Sequence, residues 1–148
     1  AVSTRPEEME LASRAMRVVT SDLPEDVTVI THMCYGDFAA VFQHLVEFPV
    51  HVLDLEMANS NYALLELFRG KKTAKIVSMG VVDVHSHRIE AVEEIKEGIR
   101  RGLEVFPPER LWIDPDCGLK TRRVEEAVAK MRNLVQATRE VRAELGIG

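Results

Sequence analysis

The side chains in this sequence most able to do chemistry are few: the cysteines Cys34 and Cys117, the histidines His32 and His85, and the carboxylate of Glu56. An imidazole, two thiols and a carboxylate form a borderline-soft donor set that suits zinc and is too rich in sulfur for magnesium or calcium. His32 and Cys34 stand two residues apart in a β-branched run, a spacing that puts both on one face of a strand. Asp54 with Glu56, and Asp83 with His85, repeat that spacing. Each residue also has an ordinary explanation. A histidine near a cysteine is commonly incidental, and a free cysteine is often just a small buried hydrophobe. Glu56 could equally cap a helix, and His85 and His87 could be satisfied loop histidines. Spacing alone leaves both explanations open.

The elements that would position these residues follow from hydrophobic patterning. Four short β-branched runs bounded by turn residues read as strands: Val27 to Cys34, His51 to Met57, Lys75 to His85 and Leu111 to Asp116. On that reading His32 and Cys34 close the first strand, Glu56 the second and His85 the third, while Cys117 follows the fourth. Amphipathic stretches lie between them. Thr4 to Glu7 forms a capping box opening a helix to about Thr20. Asp37 caps a helix through Phe38 to Glu47, and Asn59 or Ser60 caps another ending at Gly70, a left-handed stop. Ile89, Val92, Ile95, Ile99 and Leu103 share one face of a long helix that Pro107 and Pro108 end. Val124, Val128, Met131, Leu134, Val141 and Leu145 mark a last helix ending near Gly146.

A helix followed by four strand–helix units implies an α/β fold with a parallel sheet. Doubly wound sheets and (β/α)8 barrels both fit. A whole barrel takes about 250 residues, so 148 residues make one domain, spanning 1–148, that is half a barrel at most. In either fold, active sites gather at the carboxyl ends of the strands. All five candidates lie there.

Composition excludes several function classes. With 46% hydrophobic and 29% charged residues the chain reads as an ordinary globular domain. A net charge of -5 leaves no electrostatic footprint for nucleic acid. No apolar run approaches the roughly 18 residues of a membrane span. The opening residues do not resemble a secretory signal, and two cysteines in an acidic chain do not make a disulfide framework. A cytoplasmic location is expected. The start at Ala1, leading almost directly into a helix, suggests a piece of a longer protein.

Longer motifs narrow the reading. Thr31-His32-Met33-Cys34-Tyr35, the segment His51 to Leu65 around Glu56, Asp83-Val84-His85-Ser86, and the run Trp112 to Arg122 around Cys117 recur in order. Together, from about Val27 to Arg139, they resemble the zinc-binding C-terminal region of cobalamin-independent methionine synthases. The resemblance implies the C-terminal half of a (β/α)8 barrel, with four parallel strands alternating with helices. It implies Zn2+ held by His32, Cys34, Glu56 and Cys117, and His85 acting as acid or base near the transferred methyl group. Gly36 stands where many members have a further cysteine that is not a ligand. The implied reaction is methyl transfer to the thiol of homocysteine, forming methionine. The implied donor is a methyl-folate or, as in short archaeal relatives, a methyl-corrinoid protein. Groups that hold the ends of homocysteine are expected upstream, outside this chain. A related coenzyme M methyltransferase and a non-catalytic zinc-binding subunit are the alternatives. A half barrel leaves strand edges open and inner side chains such as Ile30, Val52 and Ile113 without cover. A homo-oligomer, foremost a dimer, or pairing with the missing half barrel is therefore expected.

Overall fold

The computed structural model describes residues 5–34, 38–71 and 73–147. Helix α1 (Pro6–Thr20) leads into β1 (Ile30–Met33), a 3₁₀ turn (Phe38–Val41) and α2 (Phe42–Glu47). There follow β2 (Val52–Leu55), α3 (Leu65–Phe68), β3 (Ile76–Gly80), α4 (Val92–Leu103), a second 3₁₀ turn (Pro108–Arg110), β4 (Leu111–Asp114) and α5 (Val124–Glu144). All strand pairs are parallel, and the sheet order is β1-β2-β3-β4. Sequential order without reversal is what an arc of a (β/α)8 barrel gives; a doubly wound sheet reverses at its switch point.

Parallel register sorts the side chains into two faces. Thr31, Leu53, Val77 and Leu111 form one row and Met33, Leu55, Met79 and Ile113 the next. Leu53, Leu55, Val77 and Met79 are fully buried. They join Leu45, Phe68, Ile95 and Ile99 from the helices in one core. Edge-on ring contacts carry it outward, Phe42 to Phe68 at 4.8 Å and Phe68 to Phe106 at 5.1 Å. The opposite face carries the row His32, Asp54, Ser78 and Trp112. Polar groups thus occupy the face away from the helices.

Several elements are shorter than their sequence pattern implied. The first strand begins at Ile30 rather than Val27, and the third ends at Gly80 rather than His85. Hydrogen bonding to the β4 chain continues as far as Val82, whose carbonyl accepts the Asp116 N–H. At Asp83 the chain turns, because the Asp83 carboxylate accepts the His85 backbone N–H at 2.8 Å. The helix expected from Asn59 or Ser60 to Gly70 is reduced to Leu65–Phe68. Asn61 and Tyr62 take left-handed φ of 50 and 63, which no α-helix accommodates. Gly70 and Gly146 do end their helices at φ 71 and 70. Ile89 precedes α4, whose N-cap is Ala91. On α5 the buried face runs through Lys130, Leu134, Ala137 and Val141, whereas Val124, Val128 and Leu145 are exposed. Ile113 lies on the helix-facing side and Val52 is buried, so Ile30 and Trp112 are the exposed apolar residues of the inner face. Arg5 occupies the N-cap position of α1 and makes no side-chain cap hydrogen bond. Thr4 and Asp37, the expected caps, lie outside the described residues. No helix among the described residues is long and apolar enough to cross a membrane.

Candidate metal centre

The carboxyl ends of β1 and β4 bring three soft donors together. His32 lies within β1, Cys34 one residue beyond it, and Cys117 three residues beyond β4. One ligand atom from each of His32, Cys34 and Cys117 lies within 4.8 Å of the other two. A tetrahedral zinc with bonds of about 2.3 Å to sulfur and about 2.0–2.1 Å to nitrogen sets its ligands roughly 3.5 Å apart. The three donors therefore need only a modest contraction to close on an ion of that size. Both cysteines are free thiols, half-buried. Burial raises the Cys34 thiol above its ordinary value, and the neighbouring Cys117 and Glu56 add to the rise.

Glu56 sits one residue past β2 and is 8% exposed. It stands outside the tight trio, yet close enough that its charge acts on Cys34 and that of His32 acts on it. Burial raises its carboxyl, the Asp116 carboxylate raises it further, and His32 pulls it down. His85 is exposed in the β3–α4 connection, not on a strand, with Asp83 serving its backbone amide. The expectation that Asp83 and His85 share a strand face is thus corrected. His85 nevertheless remains at the carboxyl end of the sheet.

Two supports were not evident beforehand. Asp116 is fully buried, and its carboxylate accepts the backbone N–H groups of Met57, Ala58 and Asn59 at 3.0, 2.9 and 2.8 Å. It therefore clamps the segment after Glu56 to the residue before Cys117. Burial pushes the Asp116 carboxyl up while the three amides pull against that rise. Gly80 makes room for the clamp. A Cβ there would stand 2.3 Å from Asp116 Oδ1 and 2.7 Å from its Cα.

The second support is Lys130 of α5, whose side chain is fully buried. Its Nζ donates to the Asp83 carbonyl at 2.9 Å, to the Arg88 carbonyl at 2.5 Å, and to Glu90 at 2.8 and 3.0 Å. Asn133 Nδ2 donates to the Glu90 carbonyl at 2.7 Å, and Glu126 meets His87 Nδ1 at 3.1 Å. Helix α5 thus holds the loop that carries His85. The only signals in the sequence were a lysine on an apolar helix face and a glutamate before a helix. Neither names its partner.

A cavity of about 200 Å³ opens beside the trio, lined by His32, Asp54, Asp114, Pro115, Cys117 and Gly118. Residues 2–140 match the family described as the cobalamin-independent synthase catalytic domain. The chain is 40% identical over 140 residues to a protein of Streptomyces griseus named 5-methyltetrahydropteroyltriglutamate–homocysteine methyltransferase. That match covers 95% of this chain and 18% of the relative. A protein of the same name from Acidithiobacillus ferrooxidans is 39% identical over 138 residues, again across 18% of its own length. The chain thus spans about a fifth of these relatives. Among solved structures, it superposes on a B12-independent methionine synthase from Shewanella, in complex with selenomethionine, with a TM-score of 0.79. Identity there is 24%, covering 92% of this chain and 44% of that one.

Proposed function

Because the chain belongs to the cobalamin-independent synthase catalytic-domain family, we propose that it is the zinc-carrying part of a methyltransferase that moves a methyl group to the thiol of homocysteine. One observation carries this reading: His32, Cys34 and Cys117 converge within 4.8 Å at the carboxyl end of a parallel sheet. These three residues with Glu56 would hold the ion. A zinc ion in such a set keeps a bound thiol deprotonated at neutral pH, which is the nucleophilic form.

The remaining work falls to the chain's own residues. Asp116 fixes the backbone on either side of the donor set by gathering three amides from across the sheet. His85, exposed in the β3–α4 connection, would deliver a proton to the group that leaves the methyl carbon. A positioned imidazole contributes about 10²- to 10⁴-fold in such a role. The relatives' names support a methyl-folate donor. The open edges of β1 and β4 support completion of the site by another chain or segment, which would supply groups for the ends of homocysteine.

The test is methionine formation from homocysteine by the zinc-loaded chain. Methyl-tetrahydropteroyltriglutamate and methylcobalamin serve as alternative donors, with and without the upstream half barrel of a relative added as a separate polypeptide. The expected result is formation that requires zinc and is abolished by Cys117→Ser. No formation under any of these conditions, or formation indifferent to Cys117→Ser, would overturn the reading.

A further inference from the structure

His32 has two ring nitrogens, and a metal can use only an unprotonated one. Its Nδ1 lies 2.9 Å from Asp54 Oδ2. The contact is built into the sheet, since His32 and Asp54 are register partners on β1 and β2. The next residue along that row is Ser78 of β3. Its hydroxyl donates to Asp114 Oδ2 at 2.6 Å, and Asp114 and Asp54 line the same cavity. A carboxylate that accepts this bond puts the proton on Nδ1. That tautomer leaves the Nε2 lone pair available.

We infer that Asp54 is a positioning residue: it fixes His32 in the Nδ1–H tautomer, so that Nε2 is the nitrogen presented to the metal. Asp54 touches no reacting atom in this account and acts only through the imidazole. A histidine ligand whose other nitrogen is tied to a carboxylate is oriented and made more basic. Removing such a partner typically weakens metal binding by about 10- to 100-fold. The row His32, Asp54, Ser78 adds rigidity, because each member sits on a hydrogen-bonded strand rather than a loop. The inference rests on the zinc reading above, but its tautomer part concerns the chain itself.

Imidazole ¹⁵N spectra of labelled protein, metal-free and zinc-loaded, combined with zinc titration against a chromophoric chelator, test it. The metal-free wild type is expected to show His32 as the Nδ1–H tautomer. Asp54→Ala should give a tautomer mixture and about 10- to 100-fold weaker zinc binding. Asp54→Asn, whose amide oxygen still accepts, should keep the tautomer and lose less affinity. A purely structural role for Asp54 would instead disturb the backbone amide spectrum and leave the tautomer unchanged. His32 found as the Nε2–H tautomer, or Asp54→Ala binding zinc as tightly as wild type, would overturn the inference. A wild type that takes up no zinc refutes the zinc reading, and the metal-free spectra then still decide the tautomer.

Discussion

At the scale of single residues, the donor set governs how metal binding responds to pH. The Cys34 thiol is raised by burial and by the nearby Cys117 and Glu56, so it is protonated at neutral pH when no metal is present. Zinc takes thiolates, and its binding must release those protons. Affinity should therefore rise with pH, by roughly tenfold per unit for each thiol proton displaced. Zinc competition at several pH values, with proton release followed in weak buffer, measures this. Affinity that is flat between mildly acid and neutral pH contradicts it. Cys34→Ser and Cys117→Ser should each weaken binding more than Asp54→Ala does, since each removes a charged ligand. The trio was legible through the long motifs around it, whereas the spacing of its residues alone left an ordinary explanation open. Asp54 and Asp116 were not. Their partners lie 22 and up to 59 residues away, and only the folded sheet and the loops at its carboxyl end bring them together.

At the scale of elements, the sequence placed every strand but overran its ends, and the reason is local chemistry. Apolar periodicity continues through Val81, Val82 and Val84, all buried, so the pattern reads as strand. The Asp83 carboxylate and Lys130 convert this stretch into a turning loop. The helix after β2 fails for a related reason: Tyr62 donates its N–H to the Met57 carbonyl at 2.7 Å with a left-handed backbone, closing a turn in place of a helix. Two predictions follow from these supports. Lys130→Ala removes one partner of a buried ion pair and strands Glu90, which should cost about 3–5 kcal/mol in urea unfolding. Amide exchange in the His85 loop should speed up in the same variant; unchanged exchange there would remove Lys130's role as a tether. Gly80→Ala drives a Cβ into the backbone of Asp116, and overpacking of this kind costs about 1–3 kcal/mol. It should also weaken zinc binding, whereas a stabilising or neutral result would show that the clamp gives way.

At the scale of the whole molecule, the fold is an arc of parallel strands with helices on one face and polar groups on the other. The sequence pattern alone left a doubly wound sheet and a barrel equally open. The order β1-β2-β3-β4 and the superposition on a methionine synthase structure decide for the barrel type. Strand order was illegible in the pattern because every βα unit looks alike. The arc leaves β1 and β4 at the sheet's edges, with Ile30 51% and Trp112 44% exposed on the inner face. Open edges and uncovered apolar side chains recruit further strands. The chain should therefore associate with itself at micromolar concentration. Sedimentation equilibrium should give a mass above 16.7 kDa that falls on dilution. A constant mass of one chain across the range would mean that the edges are closed by other means.

X-ray absorption on the zinc-loaded chain counts the atoms around the ion and so reads the donor set itself. One zinc per chain is expected, with two sulfur neighbours at about 2.3 Å and nitrogen or oxygen neighbours at about 2.0–2.2 Å, the sulfur signal vanishing in the Cys34→Ser, Cys117→Ser double variant. A shell of nitrogen and oxygen alone, or zinc uptake undiminished in the double variant, would contradict it.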